Sequence, residues 1–168
     1  MRIATFFFAA LLLPFLSSCT IGPCGVTWIW GGGAIPELPE SKFDPAEAVY
    51  RAFLPGAQVA SDPQAVYVLT YGDNDVPTEF LARFRSPEFR VITRVHPIEQ
   101  GPGTSIEKET GRPVIVLRLE DLSTIGNSAS ARFRYITGSS VQVHSIKLAR
   151  KQGQWTVTEV KQESESYF

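Results

Sequence analysis

Hydrophobic and polar positions divide the chain into three stretches. Residues 3–16 contain no charged side chain, and only Arg2 precedes them with one. Residues 20–43 mix apolar side chains with five glycines and three prolines, a density of breakers that prohibits a regular helix and predicts a linker. From Asp44 onward the pattern becomes periodic, first at helical spacing and then at the two-residue repeat of strands.

Asp44-Pro45-Ala46-Glu47 has the form of a helix start, with Asp44 as N-cap, Pro45 at the first helical position and Glu47 completing a capping box. Val49, Tyr50, Phe53 and Leu54 follow on one helical face, and Gly56 ends the helix. Residues 65–71 are β-branched and aromatic and sit between Pro63 and Gly72, which predicts a strand. A turn at Asp73-Asn74-Asp75 leads to a short helix that Thr78 caps and that carries Phe80, Leu81 and Phe84. Residues 89–95 read as a second strand and 96–112 as a polar, breaker-rich loop. Four strands follow, at 114–119, 130–137, 141–150 and 155–163. Their connections, Gly126-Asn127, Gly138-Ser139-Ser140 and Gln152-Gly153, have turn chemistry, so neighbours must pair antiparallel as a meander.

Alternation assigns faces. Ile115, Leu117 and Leu119 point one way and Val114 and Val116 the other. The second apolar face requires a covering loop or a partner, and a homodimer through the back of the sheet is one expectation.

Length and charge narrow the class. At 168 residues the chain fits one globular domain. Sixteen Lys+Arg against 17 Asp+Glu leave no basic surplus to neutralise a phosphate backbone, so nucleic acid is not an expected partner.

The apolar run at 3–16 would reach about 21 Å as a helix, short of a hydrocarbon core of roughly 30 Å. A charged start, an apolar run of this length and small residues after it predict a secretory signal peptide over residues 1–18. Leu16-Ser17-Ser18-Cys19, at the end of that apolar run, resembles the lipobox of bacterial lipoproteins. That resemblance implies that the Cys19 thiolate takes a diacylglyceryl group and becomes the lipidated N-terminus, carrying palmitate-type chains. It also implies the membrane as a partner. Thr20 stands where such lipoproteins carry an inner-membrane-retaining Asp, which implies the outer membrane, facing the periplasm. Residues 19–43 are then a Gly/Pro-rich tether and 44–168 the folded domain. Once Cys19 is acylated, Cys24 is a free thiol or an intermolecular disulfide in an oxidising compartment. Trp28 and Trp30 either rest at the bilayer interface or pack back onto the domain.

The element order, with its opening helix around Tyr50-Arg51-Ala52-Phe53-Leu54, the segment Phe80-Leu81-Ala82-Arg83-Phe84, Glu109-Thr110-Gly111-Arg112-Pro113 and the closing Gly153-Gln154-Trp155-Thr156-Val157, is similar to the cystatin-like, nuclear-transport-factor-like family over residues 44–163. The resemblance implies an α+β cone in which short N-terminal helices pack on a curved antiparallel sheet. Members of that family include isomerases and dehydratases that use a pocket Asp or His with a Tyr or a second acid.

Candidate groups for such a pocket are His144, Asp75, Tyr67 and Tyr135, with Tyr71 and His96 behind them. His144 shares a parity with Ile146 and Leu148 and so faces inward; a hydrogen-bonded core histidine fits the same pattern. His96, before Pro97 at a strand end, reads as a loop residue. Turn propensity accounts for Asp75, and strand packing accounts for the tyrosines. No pair stands out as matched acid and base, so no catalytic residue is assigned. Ser105-Ile106-Glu107-Lys108 has a Ser-x-x-Lys spacing but lies in a loop without its companion motifs. Asp73-Asn74-Asp75 begins like a calcium loop, but Pro77 and Phe84 stand where ligands belong. Two cysteines and two histidines give no expected metal site, and no cofactor is implied. Arg83, Arg85, Arg90 and Arg94 read as a solvated charged face. The expected function is a lipid-anchored cell-envelope protein, non-enzymatic, binding a partner protein or a small ligand; the alternative is a cone-fold isomerase- or hydrolase-like enzyme acting on an apolar small molecule.

Overall fold

The computed structural model describes residues 37–56, 62–94, 98–101, 104–138 and 140–167. Residues 1–18, expected to be a signal peptide, and Cys19, Cys24, Trp28, Trp30 and His96 lie outside the described residues.

A single 3-10 turn at Glu40–Lys42 leads into helix α1, Phe43–Arg51. The helix starts one residue before Asp44, with Lys42 at the N-cap and no side-chain capping bond, which corrects the expected capping box. Both carboxylates are engaged elsewhere. Arg83 Nη1 donates to Asp44 at 2.8 Å and to Glu47 at 3.0 Å, while Arg51 also bonds Glu47 at 2.8 Å. Leu38 and Phe43, in the stretch read as tether, are buried in the core. Helix α2, Thr78–Leu81, continues as a 3-10 turn at Ala82–Phe84, and Pro77 rather than Thr78 precedes it as the N-cap.

The strands are β1 (Val66–Tyr71), β2 (Asn74–Asp75), β3 (Arg90–Ile92), β4 (Ile98–Gly101), β5 (Thr104–Glu107), β6 (Val114–Ile125), β7 (Ser128–Ile136), β8 (Ser140–Lys151) and β9 (Gln154–Tyr167). The antiparallel meander expected for the C-terminal half is present as β6-β7-β8-β9. Residues 96–112, read as a loop, contain instead a small antiparallel hairpin of β4 and β5.

The cystatin-like cone is not what forms. The main sheet has seven strands in the order β2-β1-β6-β7-β8-β9, with β3 also on β1, and β1 runs parallel to both β3 and β6. The fold is broadly α+β but largely a mixed sheet with two short helices, not a curved antiparallel sheet under N-terminal helices. The physical reason lies in the connections. Tight turns fix the pairing of β6 to β9, whereas β1 and β6 are joined through residues 72–113, long enough for the crossover that a parallel pair requires.

The two faces of the sheet differ. The front face, with Tyr67, Leu69, Leu117, Leu119, Phe133 and Ile146, packs against α1 and α2 through Val49, Tyr50, Phe53, Phe80 and Phe84. Tyr50 anchors the helix by donating its buried hydroxyl to the Thr70 carbonyl at 2.6 Å. On the back, Val66, Val68, Ile92 and Val114 form a second cluster, with Val116 and Ile98 packed on it. The β4–β5 hairpin thus contributes to covering the second apolar face that had suggested a homodimer.

The hairpin sits tightly on the β7–β8 turn. A Cβ built at Gly138 would overlap the backbone of Thr104 and Ser105. Gly138→Ala should therefore push the hairpin off its seat and cost about 1–3 kcal/mol, as overpacking does. Urea unfolding checks this, and an unchanged midpoint would show that the hairpin does not depend on that contact.

Candidate functional site

The front face ends in a polar group built by β7, β8, the C-terminal turn of α1 and the approach to β1. His144 on β8 faces Phe133 on β7 in the strand register, and two residues along β7 Tyr135 stands opposite Gln142. Phe53 lies over both, its ring 5.0 Å from His144 and 6.5 Å from Tyr135. It stacks on Phe133 at 4.3 Å.

His144 is 5% exposed, and among the described residues neither ring nitrogen has a hydrogen-bond partner. Burial pushes its pKa below the ordinary histidine value, and the charge of Glu165 offsets part of that. Burial raises the half-buried Tyr135 phenol, and Asp62 adds to the rise. Tyr67, fully buried on β1, donates its hydroxyl to the Asp62 carbonyl at 2.7 Å. Asp62 itself accepts the Gln64 backbone N–H at 2.8 Å, an Asx turn that sets the start of β1.

Asp75 is not part of this group. It pairs with Thr70 of β1, on the back of the sheet, and Arg94 Nε meets its carboxylate at 3.0 Å. Arg94 also donates to the Asp73 carbonyl, and the Asp73 carboxylate lies 3.0 Å from Arg118. Burial lowers the Arg118 pKa, against the opposing charge of Asp73. Farther along the sheet Glu120 pairs with Arg134 at 2.6 Å and Arg132 at 3.5 Å. Asp75 therefore belongs to a charged network across the sheet from His144, Tyr67 and Tyr135.

The arginines read as one solvated face divide among separate networks. Arg83 holds α1, Arg94 holds the β1–β2 turn, and Arg90 meets the fully buried Glu107 at 3.0 Å and Glu109 at 3.2 Å. Glu107 Oε2 also accepts the Thr110 hydroxyl at 2.5 Å. Nothing in the sequence around Glu107 distinguishes it from the exposed acids nearby. Ser105 and Lys108, the Ser-x-x-Lys pair, lie on β5 and the turn after it, not on a helix.

An open groove of about 440 Å³ runs between α2, its 3-10 extension and β3, lined by Leu81, Phe84, Arg85, Phe89 and Val91 among others. None of the four candidate residues lines it. Among the described residues no cluster of His, Cys, Asp and Glu could hold a metal ion, and no helix is long and apolar enough to cross a membrane.

The front-face group offers a buried imidazole whose charged form burial disfavours, the Tyr135 phenol and the Tyr67 hydroxyl already bonded to the Asp62 carbonyl, set against aromatic rings. Its chemistry is burial and hydrogen bonding, with no carboxylate from Asp75 to serve as a base. Comparison with known proteins returns no similarity: no family model, curated protein or solved structure matches this chain.

Proposed function

We propose that the protein is a lipid-anchored component of the cell envelope, held at the outer membrane through Cys19, whose sheet domain binds a partner protein or a small ligand without catalysing a reaction. The observation that carries this reading is Leu16-Ser17-Ser18-Cys19 placed at the end of an uncharged run that follows Arg2. Fourteen uncharged residues are too few to anchor by spanning, and two or more acyl chains on one cysteine give stable attachment. The 18 residues between Cys19 and the buried Leu38 would set the reach of the domain, about 21–25 Å for a flexible chain.

The front-face geometry favours binding over catalysis. His144 and Tyr135 sit on one side of the sheet and Asp75 on the other, already ion-paired. Their separation removes Asp75 as an acid–base partner for His144 or Tyr135.

Cys19→Ser decides the anchoring. Wild type, grown with an alkyne fatty acid, should incorporate the label, partition with outer-membrane fractions and show an intact mass beginning at an acylated Cys19. The variant should lose the label and keep its leader. A native product with a bare Cys19 sulfur, or with residues 1–18 still attached, overturns the assignment.

A further inference from the structure

We propose that His144 is an acid-operated latch, in which uptake of one proton by its ring unseats the C-terminal turn of α1 from the sheet. Two structural observations carry it. The imidazole is nearly fully buried with no hydrogen-bond partner for either nitrogen among the described residues, and the apolar ring of Phe53, from the turn that ends the helix, lies 5.0 Å from it. A neutral imidazole keeps one donor and one acceptor, so burying both unpaired is unfavourable, and an apolar side chain would pack there without that cost.

The surroundings determine the direction of the response. From the turn that follows α1, Phe53 meets the ring, and it brings no charge. From β7 come Phe133 and, diagonally, the neutral Tyr135, with Asp62 beyond it. On β8 the flanking residues of the same face are Gln142 and Ile146, and β9 places Gln162 opposite. The one carboxylate whose charge reaches the ring from β9 is Glu165, which is exposed and already accepts hydrogen bonds from Gln142 at 3.0 Å and Gln162 at 3.4 Å. An imidazolium formed in this position would thus be desolvated and poorly compensated, and the proton is held better once the ring meets water.

The turn that must move is the weakly bonded part of the helix. Beyond Arg51 the backbone makes only i-to-i−3 bonds, Ala52 to Val49 at 3.1 Å, Phe53 to Tyr50 at 3.0 Å and Leu54 to Arg51 at 3.4 Å. The body of α1 stays fixed by the Tyr50 hydroxyl on the Thr70 carbonyl and by Arg83 on Asp44 and Glu47. Lifting Phe53 removes the ring that the end of the helix lays against His144.

The sign follows from the lowered histidine pKa of the closed state. The open state takes up its proton near the ordinary histidine value of about 6.5, and the closed state only at lower pH. The closed form is therefore favoured at neutral pH and loses ground as pH falls through that window. Between pH 7 and pH 5 the opening constant can rise by at most about 25-fold.

Hydrogen–deuterium exchange on the intact chain, corrected for intrinsic rates, reads this directly. The amides of residues 52–54 should open up to about 25-fold more at pH 5 than at pH 7, while those in the centre of β6 and β7 change far less. His144→Phe should abolish the pH dependence, and His96→Gln, changing the other histidine, should keep it. A flat profile in wild type, an unchanged slope in His144→Phe, or equal opening of the whole sheet overturns the latch. Should His144→Phe fail to fold, the NMR titration of the wild-type ring decides: a midpoint below 6.5 supports the proposal and one at or above 6.5 refutes it.

Discussion

Replacing Phe133 with alanine should destabilise the domain by about 3–5 kcal/mol, the range for removing a fully buried aromatic side chain. Phe133 is fully buried at the junction of α1 and the sheet. Its ring stacks on Phe53 at 4.3 Å with 24° between planes and meets Tyr50 edge-on at 5.8 Å. On the sheet it stands between Leu119 of β6 and His144 of β8, in ladders that hold its neighbours in place. The cavity cannot collapse easily, because those flanking positions are fixed by backbone bonding on both sides. The loss should appear as a lower urea midpoint with little change in slope. Phe53→Ala should cost a similar amount, and the double variant less than the sum, because the second truncation removes contacts the first has already broken. A loss below about 1 kcal/mol for Phe133→Ala would mean that α1 is not seated as described.

That junction was partly legible in the chain. Helical spacing of Val49, Tyr50, Phe53 and Leu54 marks the buried side of α1, and all four are buried. Turn chemistry at Gly126-Asn127 and Gln152-Gly153 fixes the meander, and Gly126, Gln152 and Gly153 have the positive φ such turns require. Strand ends depart from the alternation pattern where bulges break the two-residue period. The register between β6 and β7 shifts between Leu119 and Asp121, so Leu122 returns to the buried side out of phase with Leu117 and Leu119. An alternation count therefore stops at Leu119, although β6 continues to Ile125. Similar shifts between β8 and β9, at Val143/His144 and Lys147/Leu148, blur β9.

What the sequence could not reveal is long-range pairing. The parallel match of β1 with β6 and β3 depends on packing, since no turn motif encodes it. The same holds at the candidate site. Parity places His144 inward correctly, but nothing local indicates that Asp75 would be drawn to Arg94 on the opposite face. Local signals fix which side of a strand a residue occupies, and the neighbours found there are fixed by topology.

The second large effect concerns such a neighbour pair, distant in sequence and invisible to pattern. Arg90→Met should cost about 3 kcal/mol, the low end for breaking a buried ion pair, because Arg90 is itself partly open to water. Glu107 has no exposed surface, and without the guanidinium 3.0 Å away its carboxylate keeps, among the described residues, only the Thr110 hydroxyl and no counter-charge. It cannot turn to solvent cheaply, because its backbone is pinned on both sides: its N–H donates to the Arg112 carbonyl at 2.9 Å and its carbonyl accepts from Gly111 at 2.8 Å. Most of the penalty is thus the stranded charge and not the lost attraction. Adding Glu107→Gln to Arg90→Met should recover more than half of the loss, since an amide fills the same volume without a charge to desolvate. Urea unfolding of the two single variants and the double variant measures this coupling. If Arg90→Met alone lowers stability by less than about 1 kcal/mol, water must already reach the carboxylate, and the pair cannot be what joins the β5 turn to β3.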